Sequence, residues 1–199
     1  MNKYDEKSSR VIANLTQVIE SIVDEHDPHA AGHQSEVAVL AKAIAQEMSE
    51  DNEFVNCVFL AAQIHDIGKI RIPSELLNMP GKLNNLQQTL IMMHPQTGYS
   101  ILKRLDFPWD IAQVIYQHHE RLDGTGYPQG LPGDRMLLES KILAVADVVQ
   151  AMVSKRSYHM PVSVEKAIEE LETNKSKLYD CDVVNTYVSL AKRANFGCN

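Results

Sequence analysis

Histidines and aspartates in this chain occur in groupings that suit metal binding. Most of the eight histidines adjoin a glycine, an aspartate or another histidine near the expected end of a helix. Imidazole and carboxylate are ligands suited to manganese, iron and zinc. Neighbouring residues on a helix point about 100° apart, so adjacent ligands converge most easily where a helix ends. The sequence therefore predicts a metal site with these candidate ligands: His33, His65, Asp66, His94, His118, His119 and Asp147.

Asp66 is the candidate for a ligand shared by two cations, because a carboxylate has two oxygens. Two cations about 3.5 to 4 Å apart activate a water and stabilise the leaving oxygen in phosphoester hydrolysis. A lone histidine such as His26 or His159 is more often a surface or hydrogen-bonding residue than a ligand. The set as a whole favours metal-assisted chemistry.

Apolar residues at three- and four-residue spacing predict an all-α fold with about nine helices. Period-two apolar runs flanked by hairpin turns are absent from the sequence. The first predicted helix ends near Asp27-Pro28, and two short helices are predicted to begin with Ser74 and Asn84 as N-caps. The other predicted helices cover about 37–48, 54–64, 96–104, 109–119, 138–153, 163–173 and 181–194. The polar, glycine-rich stretch from Asp123 to Asp134 predicts an ordered loop.

The first helix carries an apolar stripe that must be buried against something. Its members are Val11, Ile12, Leu15, Val18, Ile19, Ile22 and Val23. One interpretation is docking on the same domain, and the other is contact with a partner or a second copy in a homodimer. We expect a single domain overall, with residues 1–26 as an N-terminal helix packed on or preceding a core formed by residues 27–199.

The charge balance and the cysteines limit which partners and which cellular compartment we expect for this protein. Lysine and arginine number 19 against 26 aspartates and glutamates, for a net charge of −7. This balance argues against binding duplex nucleic acid or an anionic membrane through a basic surface. The first ten residues are polar and the apolar runs are too short for a signal core or a membrane span. Three cysteines without ligand-type spacing fit a reducing compartment, so we expect a cytoplasmic protein.

A series of short motifs resembles one known family. The chain reads, in order, GH at 32–33, HDIGKI at 65–70, IP at 72–73, HP at 94–95, HHE at 118–120, DGTGYP at 123–128 and AD at 146–147. This order closely resembles the HD-GYP family over about residues 27–190. The HD dipeptide alone is a weak signal, but HDIGK followed at this distance by HHE and DGTGYP is highly specific.

The resemblance implies a metal-dependent phosphodiesterase that opens cyclic di-GMP, a bacterial second messenger, to pGpG and onward to GMP. It implies an all-helical HD-domain bundle with an ordered GYP loop, in agreement with the periodicity. By similarity, one metal would be held by His33, His65, Asp66 and Asp147, and the other by Asp66, His94, His118 and His119. Members of the family have been associated with iron and manganese, and a metal-activated water would be the nucleophile.

The resemblance also implies residues that contact the substrate. Lys69 would clamp a phosphate oxygen beside the metals, where an ammonium stabilises developing negative charge. Arg156 matches an arginine that contacts the substrate phosphate. Tyr127 lies in the GYP loop, a secondary candidate for substrate contact, and this loop has been linked to contacts with diguanylate cyclase domains.

Three positions bear on how far the resemblance extends. The family often has an arginine directly before the valine that is Val37 here, and this chain has Glu36 instead. His159 stands where a second phosphate-binding lysine or arginine is common. His29 lies four residues before His33, where some members use a glutamate for a third metal, so His29 is a candidate for that ligand.

Two alternatives to cyclic di-GMP hydrolysis stay open at this stage. The first keeps the chemistry and changes the substrate to another cyclic dinucleotide, such as a mixed GMP–AMP messenger, or to a nucleotide. The second is a non-catalytic regulator that binds metal and a cyclic dinucleotide without turnover. Glu36 and His159 keep the second alternative in view, while the intact ligand set argues against it.

Overall fold

The fold is built from helices, as the apolar spacing predicts. The computed structural model describes residues 3–154 and 161–194, and within them no residue belongs to a β-strand. The α-helices there are α1 Lys3–His26, α2 His33–Met48, α3 Asn52–Ile64, α4 Ser74–Leu77, α5 Asn85–Ile91, α6 His94–Leu102, α7 Ile111–Gln117, α8 Leu138–Val153, α9 Val164–Thr173 and α10 Cys181–Ala194. The prediction of an all-α fold is confirmed.

The core forms where α2 packs against both α3 and α8. Val37, Ala41 and Ile44 of α2 are fully buried, and their spacing of four and three residues keeps them on one helix face. Ala61 of α3 and Ala146 of α8 are also fully buried. Burying a valine or isoleucine stabilises the fold by about 1.5–3 kcal/mol, and the alanines let the helices approach closely.

A 3₁₀ turn, Ile67–Arg71, follows α3 and packs against α6. The approach is close at Gly68, which is buried. A Cβ added to Gly68 would lie 1.9 Å from the carbonyl oxygen of His94 and 2.7 Å from the backbone nitrogen of Gly98. Only glycine fits this contact, and the contact joins the segment after α3 to the start of α6.

The two predicted N-caps have different outcomes. Asn84 caps α5 as predicted, since its side chain accepts a hydrogen bond from the backbone of Gln87 and the Gln87 side chain completes a capping box. The prediction for Ser74 is wrong: Ser74 is the first residue of α4, and Pro73 is the N-cap, with no side-chain cap hydrogen bond. Pro73 is extended at ψ 130°, so the helical conformation starts one residue later than the serine pattern indicates.

Helix α1 uses only part of its apolar stripe to dock on the rest of the chain. Val23 is buried, and Ile19 packs against the hydrophobic core. The other members of the stripe remain between 48% and 59% exposed: Val11, Ile12, Leu15, Val18 and Ile22. Docking on the same chain therefore accounts for one side of the stripe.

The described part of the chain contains no helix that is both long enough and apolar enough to span a membrane.

We expect Gly68→Ala to lower the free energy of unfolding by about 3 kcal/mol or more, because the new methyl group overlaps backbone atoms that cannot move independently. Gly81→Ala is the matched control. Gly81 has a φ of +97° but no heavy atom within 4 Å of an added Cβ, so only backbone strain of about 1–2 kcal/mol applies. Urea unfolding of metal-free protein, followed by far-UV circular dichroism, compares the two, and equal losses would contradict the steric argument.

Candidate metal centre

All seven candidate ligands converge at one place, although they come from five parts of the chain. His33 and His94 are the first residues of α2 and α6, while Asp147 lies within α8. His65 and Asp66 follow α3 directly, and His118 and His119 follow α7. Three groups have ligand atoms within 4.8 Å of one another: His94, His118 and His119; His33, His65 and Asp147; and His65, Asp66 and His118. Six of the seven candidate ligands lie at or just beyond a helix end, as predicted, and Asp147 is the exception.

Three of the imidazoles are oriented by the helices that precede them. In each, Nδ1 bonds to the carbonyl oxygen three residues earlier: His65 to Ala62 at 2.7 Å, His94 to Ile91 at 2.8 Å and His118 to Ile115 at 2.6 Å. A carbonyl can only accept, so Nδ1 must carry the proton. In the neutral imidazole Nε2 then has a free lone pair. Such second-shell bonds fix the tautomer and orientation of metal-binding histidines.

The lone pairs meet at short range. The Nε2 atoms of His94 and His118 lie 3.3 Å apart, and both Nδ1 atoms are already donors to carbonyls. Two neutral imidazoles with this tautomer therefore direct lone pairs at each other. A cation between or beside them removes this repulsion, so the donor set fits a divalent metal.

Burial keeps the imidazoles of His94, His118 and His119 uncharged. It is the main cause that lowers the pKa of His118 to about 3, and the neighbouring His94 and His65 add to the effect. Burial also lowers the pKa of His94, and that of His119 well below its usual value. A neutral imidazole is the form that binds a metal, so these ligands need lose no proton near neutral pH.

Two carboxylates balance the imidazoles. Asp66 Oδ1 lies 3.3 Å from His94 Nε2, while its Oδ2 lies 3.5 Å from His65 Nε2. Burial tends to raise the pKa of Asp66, but the Lys69 ammonium and the adjacent imidazoles hold it well below its usual value. Each oxygen of Asp66 thus faces a different imidazole, as a bridging ligand requires.

Asp147 approaches the opposite side of the site from α8. Its Oδ1 is 2.9 Å from His33 Nε2, and its Oδ2 is 3.9 Å from His119 Nδ1. Burial tends to raise the pKa of Asp147, but the hydrogen bond from His33 and the other imidazoles nearby hold it well below its usual value. Both aspartates are therefore ionised candidate ligands at neutral pH.

Lys69 lies beside this cluster in the 3₁₀ turn, where its Nζ is 2.8 Å from Asp66 Oδ2. A second carboxylate, Asp27 Oδ2, lies 3.2 Å from the same Nζ. Burial tends to lower the pKa of Lys69, but the two carboxylates raise it above its usual value, so the ammonium stays charged. The sequence analysis did not identify Asp27 as a site residue, because it reads there only as the residue before Pro28 at the end of a helix.

The loop after α7 is held against the site by Glu120, which is fully buried. One oxygen of its carboxylate accepts from the backbone of Gln129 at 2.7 Å, and the other accepts from Leu131 at 2.9 Å. Glu120 ends the HHE motif, yet nothing in its spacing predicts bonds to residues nine and eleven positions later. Its role in ordering the loop was missed.

Tyr127 of this loop stacks on a candidate ligand. Its ring lies 4.7 Å from the ring of His119, at an interplanar angle of 28°. Close packing of Gly126 allows this approach, because an added Cβ would lie 2.4 Å from the Cα of Glu120. Burial, with Asp147 and Asp66 nearby, raises the pKa of the Tyr127 hydroxyl. The loop thus closes one side of the site with a neutral phenol.

Other residues singled out in the sequence lie apart from the ligand groups or outside the described residues. His29 lies in a 3₁₀ turn, Pro28–Ala30, and belongs to none of the three groups that the described residues form. Glu36 is exposed and accepts a hydrogen bond from the Ser154 hydroxyl. Arg156 and His159 lie outside the described residues.

Comparisons of the sequence and of the fold both find similarity to HD-domain phosphodiesterases. A family model described as an HD domain matches residues 17–183. The chain is 36% identical over 180 residues to a cyclic di-GMP phosphodiesterase of Thermotoga maritima, covering 89% of this chain and 49% of that protein. It is 35% identical over 153 residues to 3′3′-cGAMP-specific phosphodiesterase 3 of Vibrio cholerae, covering 77% of this chain and 33% of that protein.

A solved structure of a cyclic GMP-AMP-specific phosphodiesterase of Vibrio cholerae has the same fold. It aligns with a TM-score of 0.71 at 18% identity, over 92% of this chain and 50% of that one. The chain therefore spans half or less of the length of these relatives.

We expect His118→Ala to weaken binding of Mn(II) by at least about tenfold, because His118 contributes to two of the three ligand groups. His26→Ala is the control, since His26 bonds to the carbonyl of Ile72 and belongs to none of those groups. Anaerobic isothermal titration calorimetry measures the affinity, and plasma mass spectrometry measures the bound metal. An unchanged affinity in His118→Ala would contradict the ligand assignment.

Proposed function

Because this chain belongs to the HD-GYP family of HD-domain proteins, we propose that it is a metal-dependent phosphodiesterase that hydrolyses cyclic di-GMP to pGpG, with GMP as a further product. The observation that carries the proposal is the three overlapping groups of imidazoles and carboxylates, in each of which the ligand atoms lie within 4.8 Å of one another. The identity to a cyclic di-GMP phosphodiesterase of Thermotoga maritima supports the choice of substrate.

The ligands divide into two sets that share Asp66. His33, His65, Asp66 and Asp147 would hold one divalent cation, and Asp66, His94, His118 and His119 would hold the other. The two oxygens of Asp66 face His65 and His94 respectively, which supports the shared position. Iron and manganese are the proposed metals, because both accept mixed imidazole and carboxylate ligands.

Bound cations would supply Lewis acidity, which would lower the pKa of a water and offset the charge of a phosphodiester. The residues of the chain then do three things. His94, His118 and His119 can hold a cation without losing a proton, Lys69 adds a positive charge beside Asp66, and the walls of the site exclude bulk water. His65, His94 and His118 are each at most 2% exposed, so charges here are screened less than at the surface.

Lys69 is the proposed phosphate clamp. Its ammonium remains charged between Asp66 and Asp27, and a charged donor next to a cation site stabilises a phosphoryl oxygen that gains negative charge. Asp27 is a positioning residue in this arrangement, because it holds Nζ on the Asp66 side of the turn. The chain needs no protein nucleophile in this scheme.

Arg156 and Tyr127 complete the proposed substrate contacts. Tyr127 stacks on His119 and therefore borders any ligand that reaches the cations. Arg156 follows α8, the helix that carries Asp147, by three residues, and it is proposed as a second phosphate contact from the family motif alone.

A third cation would require His29 as a ligand. Its position four residues before His33 is the support for this proposal. Metal analysis of His29→Ala distinguishes the two stoichiometries, because loss of one equivalent with the others retained identifies a third ion.

Two partners are proposed besides the substrate. The GYP loop is a docking surface for a diguanylate cyclase or another signalling partner, supported by its exposed residues Asp123, Thr125, Asp134 and Arg135. A homodimer is the second, supported by the exposed apolar residues of α1.

One alternative substrate has a specific observation in its favour. The identity to a 3′3′-cGAMP-specific phosphodiesterase is 35%, nearly the same as that to the cyclic di-GMP enzyme. A mixed GMP–AMP cyclic dinucleotide is therefore the second candidate, and the metal chemistry would be unchanged.

We expect protein purified without oxygen and loaded with Fe(II) or Mn(II) to convert cyclic di-GMP to pGpG, followed by chromatography. Asp66→Ala should lose both bound metal and product, because the shared ligand is gone. A parallel reaction with 3′3′-cGAMP ranks the two substrates by kcat/KM. Tight binding of cyclic di-GMP by fully loaded protein without product from either substrate would instead identify a non-catalytic regulator.

We expect Lys69→Ala to retain its metal and to lose about 10²–10³-fold in kcat, because one charge that stabilises the transition state is removed. Lys192→Ala, at the exposed end of α10, is the control. Lys69→Ala leaves the Asp27 carboxylate without its partner, and the double variant Asp27→Asn with Lys69→Ala removes that charge. If the double variant is stable but inactive, the loss of activity is due to the missing ammonium. Wild-type kcat in Lys69→Ala would disprove the clamp.

A further inference from the structure

The outward face of α1 is apolar over much of its length. Val11, Leu15, Val18 and Ile22 are 56%, 59%, 55% and 48% exposed, and we call these four residues the α1 seam. They are spaced by four, three and four residues, so they lie within an arc of about 60° along about 16 Å of the helix. An apolar patch of this kind marks an interaction surface more often than ordinary solvent exposure.

The contact of α1 with its own domain does not use the seam. Thr16 and Val23 are buried, and Ile19 packs against the core. These residues lie about 100° around the helix from the seam. Residues 10–15 are all exposed, so this part of α1 is free on every side to meet another molecule.

The spacing of the seam selects a helix as its partner. Apolar residues that alternate by four and three are the pattern by which two helices pack side chains between one another in a coiled coil. A second copy of this chain presents the same seam. When two copies run antiparallel, Val11 lies level with Ile22 of the other copy, and Leu15 with Val18, so all four layers are apolar.

Charge distinguishes the two directions of pairing. Arg10 is exposed just before the seam, and Glu25 is exposed just after it. In a parallel pair, Arg10 of one copy would lie level with Arg10 of the other, and Glu25 level with Glu25, so like charges would meet. An antiparallel pair brings Arg10 of one copy near Glu25 of the other, at both ends of the seam.

We infer that two copies of this chain associate through the α1 seam as an antiparallel helix pair about a two-fold axis. The seam and Ile12 give each copy five half-exposed apolar side chains to bury. A contact of this extent is small beside specific interfaces, which bury about 1,200 Å² or more in total, so we expect a reversible dimer with a Kd on the order of a micromolar. The association does not depend on the catalytic proposal.

Sedimentation velocity of the full chain over a range of concentrations tests the association. We expect the mass to rise from 22.3 kDa towards twice that value in the wild type. Leu15→Glu with Val18→Glu should raise the dimer Kd by at least about 100-fold, because it buries four carboxylates in the pair. The control, Ala13→Glu with Gln17→Glu, adds the same charge on an exposed face away from the seam and should dimerise like the wild type.

Charge reversal tests the direction of pairing. In low salt, Arg10→Glu and Glu25→Arg should each raise Kd by about three- to tenfold, and the double reversal should restore it. A wild type that stays monomeric at 200 µM, on the order of a hundred times the expected Kd, or a dimer unaffected by Leu15→Glu with Val18→Glu, would overturn the proposal. A seam-dependent dimer that neither single reversal weakens would overturn the antiparallel direction. Circular dichroism and thermal unfolding verify that each variant folds.

Discussion

The mutual approach of buried lone pairs is the constraint on which the rest of the structure depends. His94 Nε2 and His118 Nε2 are 3.3 Å apart, and both are held in that direction by carbonyls of the preceding turn. Such a geometry is unfavourable for neutral groups alone, so the surrounding helices must impose it. The hydrophobic core around α2, α3 and α8 supplies the rigidity, and a bound cation would supply the compensating charge.

Helix ends are what make so dense a ligand set feasible. A residue just after a helix can turn its ring towards the carbonyl three positions earlier, which leaves its second nitrogen aimed outward. His65 and His118 do this at the ends of α3 and α7. Asp147 is different, because it comes from within α8, where the helix passes through the core. Its carboxylate therefore approaches from a fixed direction, against which the other ligands are arranged.

The helices and the ligands were predictable from the sequence because both leave local signals. Periodic apolar residues predict α8 and α10 closely, and the adjacent His-Asp and His-His pairs predict the candidate metal site that the structure brings together. The Lys69–Asp27 ion pair joins residues 42 positions apart, and no spacing rule connects them. Glu120 likewise bonds to a loop whose path is decided by tertiary packing. Apolar spacing also groups two faces of α1 into one predicted stripe. Ile19 and Val18 are both apolar, but only Ile19 lies on the side that packs against the core, while Val18 is exposed.

The surface of α1 and the chemistry of the site are connected through the backbone. Helix α1 ends at His26, and the next residue, Asp27, donates its backbone N–H to the carbonyl of Val23 at 2.8 Å. Val23 is buried against the domain, while the side chain of Asp27 accepts from Lys69, which also pairs with Asp66. The last turn of α1 therefore sets the carboxylate that positions the proposed phosphate clamp. A displacement of α1 that pulls Val23 from its contact would also move Asp27, and the charge beside Asp66 would change with it.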